Sequence, residues 1–185
     1  MNKIISRARD WLLLIGYVVL IYATLPLMPG ISAYFSSLFG QFFGIIANLL
    51  LIGIIAIVFA VLFKNNSAQK SPMFYAGLMA ILASYTALLY VTPIPVEKMH
   101  LLEYGFLSYL TLRALSGTQP PWKRHLCIIF IIILVSYCDE LIQAITPGRF
   151  YEIRDVFLNI VSGMLGLFAL KLLGIKETLL YKKYF

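Results

Sequence analysis

Charged residues are scarce in this chain of 185 residues: only 12% are Asp, Glu, Lys or Arg, whereas 61% are hydrophobic. Soluble domains carry about 25% charged residues, so the composition excludes an ordinary water-soluble fold. The net charge of +7 does not indicate a nucleic-acid surface, because the basic residues stand in short clusters between long apolar runs. We therefore expect an integral membrane protein that contacts membrane lipids and has no nucleic-acid partner.

Cysteine is also scarce. Cys127 and Cys138 lie eleven positions apart in one apolar run, which on a helix is roughly 16 Å at about 1.5 Å per residue. That separation is too long for a disulfide, and no cysteine spacing typical of a metal site occurs. We predict neither a disulfide nor a cofactor.

The N-terminus lacks a cleavage site. A basic segment from Lys3 to Arg9 precedes an apolar run, as in a signal peptide, but the run continues from Trp11 to Met28 with no small-residue cleavage pattern after it. We interpret this run as an uncleaved first membrane span.

Five apolar stretches are long enough to cross a bilayer, which takes about 20 residues. They are residues 11–28, 45–63, 73–92, 125–145 and 156–174. Residues 31–44 hold aromatic side chains among serines and glycines, and predict an interfacial helix or an early extension of the second span.

The segment 99–115 carries His100, Glu103 and Arg113, and the distribution of basic residues decides how it is interpreted. With this segment as a sixth span, the fifteen Lys and Arg residues divide twelve to three between the two faces; without it they divide seven to eight. Because basic residues concentrate on the cytoplasmic side, we predict an all-α polytopic bundle of about six spans. Residues 1–185 then form a single membrane domain with both termini in the cytoplasm.

The acidic residues follow the opposite distribution. Six of the eight fall at the outer ends of spans or in outer loops in this topology: Glu97, Glu103, Asp139, Glu140, Glu152 and Asp155. Acidic residues scarcely influence orientation, and ionisable side chains in spans are costly. We interpret the clustering as functional.

Helical spacing places the polar residues of three consecutive spans on single faces. The three stripes are Glu97, His100 and Tyr104; then Ser136, Asp139, Glu140 and Gln143; then Asp155, Asn159 and Ser162 or Gly163. The loop from Thr146 to Arg149 joins the last two helices and predicts Arg149 at the mouth of the site. We expect Lys98, Arg149 and Arg154 to be the cationic partners of the acids.

In this order the motifs resemble the VanZ-like family over residues 97–166. The resemblance rests on Glu97-Lys98-x-His100-x-x-x-Tyr104, Asp139-Glu140-x-x-Gln143, Pro147-Gly148-Arg149 and Asp155-x-x-x-Asn159-x-x-x-Gly163. It implies a multi-pass protein of the bacterial plasma membrane. It also implies a link to low-level resistance to teicoplanin, a glycopeptide that acts on the cell envelope. Residues 1–95 carry no motif that adds to it.

Our first hypothesis is an envelope enzyme that acts on a lipid-linked or surface substrate. A histidine with nearby carboxylates can supply general acid–base catalysis, and basic side chains can hold an anionic headgroup. The predicted catalytic residues are His100, Asp139, Glu140 and Asp155, and the predicted substrate-binding residues are Lys98, Tyr104, Gln143, Arg149 and Asn159. A metal held by His100, Glu97, Asp139 and Asp155 is chemically conceivable, although no spacing demands one.

Two alternatives are non-catalytic. The same residues can line a binding or permeation vestibule, but conduction needs polar groups through the full depth of the bilayer. The inner halves of the spans, such as residues 128–134 and 165–170, are almost wholly apolar, which favours a one-sided site. Alternatively, the polar faces hold the bundle together or dock a partner protein. Amides such as Gln143 and Asn159 commonly serve that purpose.

Overall fold

The computed structural model describes residues 2–64, 71–92, 94–95, 97–117 and 120–172, and the regular structure in these ranges is helical. The α-helices are α1 (Asn2–Thr24), α2 (Met28–Phe39), α3 (Phe43–Lys64), α4 (Pro72–Val91), α5 (Met99–Ala114), α6 (Pro121–Ala144) and α7 (Ile153–Leu172). Short 3-10 turns, Leu25–Leu27 and Gly40–Phe42, connect the first three. The predicted all-α class is confirmed.

Four stretches of the described chain are long and apolar enough to cross a membrane: Arg7–Ile57, Pro72–Val91, Pro121–Ala144 and Ile153–Leu172. The first has 51 residues, enough for two crossings of about 20 residues each. Each of the six predicted spans overlaps a helix. Residues 25–28 of the first fall in the 3-10 turn and at the start of α2, and residues 173–174 of the last lie outside the described residues. The predicted C-terminal basic residues of the cytoplasmic face, Lys176, Lys182 and Lys183, also lie outside them, as do Lys70 and Glu177.

Residues 31–44 fall mainly in α2, so the helical interpretation of this segment is correct. Pro26 lies in the turn that ends α1, and Gly40 adopts a φ of 54° directly after α2. Proline lacks an N–H for the helical ladder, and positive φ favours glycine. No residue of α2 is buried. Its location at the membrane interface stays a prediction.

The polar helix α5 lies at the centre of the bundle. It packs against α7, α6 and α1, and its buried side chains include Leu101, Leu107 and Leu112. With 16 residues it is about 24 Å long at 1.5 Å per residue, and it is not among the four stretches long and apolar enough to span. Because α7, α6 and α1 pack against α5, many of its polar residues face protein, where partners on the other helices reduce the cost of burying them.

Small residues allow α5 and α7 to approach closely. A Cβ on Gly166 would lie 2.6 Å from the Cα of Gly105. On the side of α7 that faces α6, a Cβ on Gly163 would lie 2.8 Å from the Cγ2 of Ile132. The Ser108 hydroxyl donates to the backbone carbonyl of Gly163 at 2.6 Å. Small-residue contacts of this kind are typical of membrane helix pairs.

The two ends of the bundle differ in chemistry. One end lies where α5 and α7 begin and α6 ends. It holds six acidic residues, Glu97, Glu103, Asp139, Glu140, Glu152 and Asp155, and we call it the polar end. At the opposite end, the Asp10 carboxylate at the start of α1 lies 2.7 Å from the Arg113 guanidinium at the end of α5. A buried apolar layer, which includes Leu14, Leu107, Ile128, Ile132 and Leu167, occupies the depth between the ends.

Candidate functional site

The polar end assembles its buried polar side chains from three helices and the segments that precede them. Because α6 runs antiparallel to α5 and α7, the last turn of α6 meets the first turns of the other two. The buried residues of this site include Glu97, His100, Tyr104, Asp139, Glu140, Gln143, Asp155 and Asn159. The three stripes predicted from helical spacing therefore converge.

Asp139 is the centre of the site. Its side chain is fully buried, and Oδ2 accepts from the Tyr104 hydroxyl at 2.8 Å and from Asn159 Nδ2 at 3.4 Å. Its other oxygen accepts from Gln143 Nε2 at 3.1 Å. Donors from α5, α6 and α7 thus satisfy one carboxylate, as a buried charge requires.

His100 lies between two carboxylates. Its Nδ1 is 2.9 Å from Glu103 Oε2 on the next turn of α5 and 3.8 Å from Asp139 Oδ2. Each contact is an ion pair when the imidazole is protonated, and neither is aligned as a hydrogen bond. A buried imidazole beside carboxylates can take up and release a proton, which is the requirement for general acid–base chemistry.

Gln143 connects the centre of the site to the α6–α7 loop. Its amide nitrogen donates to Glu140 Oε1 at 3.0 Å as well as to Asp139, and its carbonyl oxygen accepts from the Arg149 guanidinium. Gly148 adopts a φ of 79°, a conformation available to glycine that returns the chain so that Arg149 reaches the helix end. Arg149 thus contacts the Gln143 amide rather than a carboxylate, and its location at the mouth of a site stays a prediction.

Glu140 has a second partner from the loop, since Oε2 accepts from the backbone N–H of Glu152 at 3.0 Å. Arg154, at the start of α7, lies among three acids. Its guanidinium is 3.3 Å from Glu97, 3.4 Å from Glu152 and 3.2 Å from Asp155. The expectation that Arg154 neutralises part of the acidic cluster is therefore correct.

Glu97 precedes α5 and is buried beside other acids. Burial raises the pKa of its carboxyl above the usual value, and the charge of Asp155 raises it further, whereas Arg154 and Arg149 oppose the shift. Asp155 is itself 5% exposed and hydrogen-bonds to Arg154. Glu97 and Asp155 thus share one local environment at the junction of α5 and α7.

Lys98 differs from its expected placement among the acids. Its Nζ donates to Asn48 Oδ1 of α3 at 2.8 Å, and burial lowers the pKa of the lysine. The helix start at Met99 directs residues 97 and 98 to different neighbours, so Glu97 meets α7 while Lys98 meets α3. Asn48 could have been noticed as an amide inside an apolar helix, but no spacing connected it with Lys98.

Helix α1 contributes two tyrosines that sequence reasoning missed. The Tyr17 hydroxyl donates to the backbone carbonyl of Glu103 at 3.1 Å, and the Tyr22 hydroxyl donates to that of Val135 at 3.1 Å. These bonds hold α1 against α5 and α6 beside the site. Tyrosines in an apolar span carry no signal that separates such contacts from interfacial anchoring.

No group of three or more His, Cys, Asp or Glu side chains is arranged to hold a metal ion within the described ranges. The arrangement of His100, Glu97, Asp139 and Asp155 considered from sequence is not such a group. The site offers a buried imidazole, several carboxylates and two arginines, which suit proton transfer and contact with a polar group.

Comparison with curated proteins and with solved structures gives no match to this chain. The family model described as VanZ/LLP1 matches residues 11–174. The match extends well beyond residues 97–166, where the motifs lie, and includes α1 with its two tyrosines. The chain therefore belongs to the VanZ/LLP1 family of multi-span membrane proteins.

Proposed function

We propose that this protein binds or acts on a cell-envelope or lipid-linked substrate at the polar end of its bundle. The observation that carries the proposal is the buried contact between His100 and two carboxylates from different helices, at 2.9 and 3.8 Å. Charged groups at this depth are costly. Interhelical hydrogen bonds average only about 0.6 kcal/mol each, so packing alone is a weak reason for so many ionisable residues.

In the proposal, His100 exchanges a proton with the substrate, and Asp139, Glu140 and Asp155 are its acidic partners. Arg149 is the anion contact, because it lies in the loop at the mouth of the site and is only half-buried. Tyr104, Gln143 and Asn159 complete the binding surface while holding Asp139 or Glu140 in place. Lys98 contributes from the α3 side, where its bond to Asn48 fixes it.

The proposal includes the topology. The chain crosses the bacterial plasma membrane six times, with α5 as the fourth crossing, both termini cytoplasmic and the polar end outside. The twelve-to-three division of basic residues and the positive-inside rule support this orientation.

Cysteine labelling tests the orientation in a variant with Cys127 and Cys138 replaced by Ala. Phe150, in the loop after α6, and Trp122, in the first turn of α6, are 81% and 61% exposed and lie at opposite ends of that helix. A membrane-impermeant maleimide applied to intact cells should label Phe150→Cys and leave Trp122→Cys unlabelled. The reverse pattern would mean that the polar end faces the cytoplasm.

A deletion strain complemented with His100→Ala and Asp139→Ala tests the function. We expect both variants to lose growth and envelope-lipid phenotypes that the unchanged protein restores, at equal membrane abundance. His125→Ala is the matched control, since this second histidine lies at the opposite end of α6 and contacts only the Pro121 carbonyl at 2.5 Å among the described residues. Full complementation by both site variants would refute the proposal.

The proposed role extends to glycopeptide resistance, which the family resemblance implies. In the same strains, deletion should lower the teicoplanin concentration that stops growth, and His100→Ala should fail to restore it. If deletion leaves teicoplanin sensitivity unchanged, this protein has no role in glycopeptide resistance, and the substrate proposal is unaffected.

A second candidate function is structural, and the saturation of Asp139 by donors from three helices favours it. In that case the polar end holds the bundle together or docks a partner. The two candidates differ in outcome: a structural role predicts that His100→Ala and Asp139→Ala lose thermal stability and abundance together with the phenotype.

A further inference from the structure

Glu103 stands one helical turn after His100 on α5, and the sequence-based set of catalytic residues does not include it. Its carboxylate oxygen is 2.9 Å from His100 Nδ1, closer than Asp139 at 3.8 Å. The Glu103 side chain is 22% exposed, whereas that of Asp139 is fully buried. Within the described part of the chain, His100 is the only side chain ion-paired with Glu103.

The Asp139 oxygen nearest His100 is already occupied. It accepts from Tyr104 and Asn159, so its lone pairs are directed to those donors. In the described part of the chain, the Glu103 carboxylate pairs with no second side chain, and the Tyr17 hydroxyl fixes this turn of α5 by donating to the Glu103 backbone carbonyl at 3.1 Å. The carboxylate free to hold the imidazole is therefore Glu103.

We propose that Glu103 is a positioning residue that holds a proton on His100 Nδ1, so that Nε2 is the nitrogen that exchanges a proton with the substrate. The inference rests on the proposed function and deepens it. When Nε2 donates its proton, the imidazole returns to the neutral form with hydrogen on Nδ1; when it accepts one, both nitrogens carry hydrogen. A second group that fixes the tautomer of a catalytic histidine is a recurrent arrangement.

The surroundings of His100 favour this tautomer. The charged groups that act on it are carboxylates from three helices: Glu103 on α5, Asp139 and Glu140 on α6, and Asp155 on α7. The Tyr104 ring stands against the imidazole with centroids 6.2 Å apart. The two acids that contact the ring do so at Nδ1.

The chain has only two histidines, which permits a direct test on the resting full-length protein. Nitrogen-15 NMR of histidine-labelled protein in detergent micelles, at alkaline pH where the imidazole is neutral, reports which ring nitrogen carries hydrogen. His125→Gln assigns the two sets of signals. We expect His100 to be predominantly the Nδ1–H tautomer. A predominant Nε2–H tautomer in the unsubstituted protein would overturn the inference without any site variant.

Glu103→Leu should convert His100 predominantly to the Nε2–H tautomer, which is favoured in water, and leave the His125 signals unchanged. The matched control is Glu152→Leu, which removes an acid of the polar end that does not contact His100. Retention of Nδ1–H in Glu103→Leu, or its loss in both variants, would contradict the assigned role.

Complementation of the deletion strain tests the function of Glu103 separately from the tautomer. Glu103→Leu should lose complementation, and Glu103→Asp, which keeps the carboxylate, should restore part of it. If His100→Ala complements fully while the tautomer follows Glu103 as expected, the proposed function fails and the Glu103–His100 contact stands. If His100→Ala fails to complement but the tautomer is indifferent to Glu103, only this inference fails.

Discussion

Gly166 of α7 lies directly against Gly105 of α5: a Cβ at residue 166 would be 2.6 Å from the Gly105 Cα and 2.9 Å from its carbonyl oxygen. The contact is between two backbones, so no side-chain movement can relieve the overlap that a larger residue would cause. This crossing is one turn from the bond between Ser108 and the Gly163 carbonyl. Together they set the separation of the two helices whose first turns carry His100 and Asp155.

Gly166→Ala should therefore destabilise the bundle. Overpacking of this kind typically costs about 1–3 kcal/mol, and we expect a lower midpoint of thermal unfolding in detergent. Gly16→Ala is the matched control, since a Cβ on this helical glycine of α1 would meet nothing within 4 Å. Alanine there should be neutral or stabilising by up to about 1 kcal/mol. Equal midpoints for the two variants would contradict the close crossing.

Gln143 holds two buried carboxylates through one amide nitrogen, at 3.1 Å from Asp139 and 3.0 Å from Glu140. Gln143→Leu leaves both oxygens without that donor. Because an unsatisfied buried group costs about 1–3 kcal/mol, we expect reduced thermal stability and loss of complementation. Gln41→Leu, at an exposed position, controls for the change in composition. A stable, fully functional Gln143→Leu would show that the amide is dispensable.

The raised pKa of Glu97 predicts a pH dependence. The folded protein holds the Glu97 proton more tightly than the unfolded chain, whose carboxyl titrates near 4.5. The contribution of Glu97 to the free energy of unfolding is therefore largest at low pH and is lost as the pH rises above that value. Relative to Glu97→Gln, the unsubstituted protein should lose thermal stability as the pH rises above about 4.5.

Arg154→Gln tests how the neighbouring arginine affects the pKa of Glu97. The arginine lowers the pKa of Glu97, so its removal should extend the loss of stability to higher pH. Parallel stability curves for all three proteins would show that Glu97 does not titrate in this range.

The ion pair between Asp10 and Arg113 should stabilise the opposite end of the bundle. Asp10 is 2% exposed, and breaking a buried pair typically costs about 3–5 kcal/mol. Asp10→Ala should therefore lower the thermal midpoint strongly, and Asp10→Ala with Arg113→Met should cost less than the sum of the single changes. Arg9→Ala is the control, because Arg9 is half-exposed and 4.0 Å from Asp10. Strict additivity in the double variant would mean that the two residues are uncoupled.

Much of the fold follows from the chain alone. Predicted spans such as residues 73–92 and 99–115 differ by at most one residue at either end from α4 and α5. Apolar length predicted the first, and the division of basic residues predicted the second. The faces of the candidate site were also predictable, since spacing on one helix decides that Asp139 and Gln143 share a side. The separation of acids from basic residues followed from counting charges against spans.

Contacts between helices could not be derived in that way. Helical periodicity states which residues share a face, but it does not state which helix lies opposite. Hence Lys98 was expected among the acids and instead binds Asn48 of α3, while Tyr17 and Tyr22 of α1 were not anticipated beside the site. The sequence places Glu103 within one turn of His100, but it does not show which carboxylate is free to hold the imidazole. That depends on the donors from α5 and α7 that occupy Asp139.

The opening scarcity of charge determined by itself that this is a membrane protein, because a chain so poor in charged residues cannot form a soluble surface. The positions of the acidic residues along the chain, set against the predicted spans, indicated that six of them lie at one end of the bundle. Only the tertiary structure decided that the short polar α5 is the central helix, enclosed by α1, α6 and α7. The physical reason is that α5 pairs His100 with Glu103 within one turn, but Tyr104 and Arg113 take their partners, Asp139 and Asp10, from α6 and α1. Close packing at Gly105 and Gly166 holds α5 against α7.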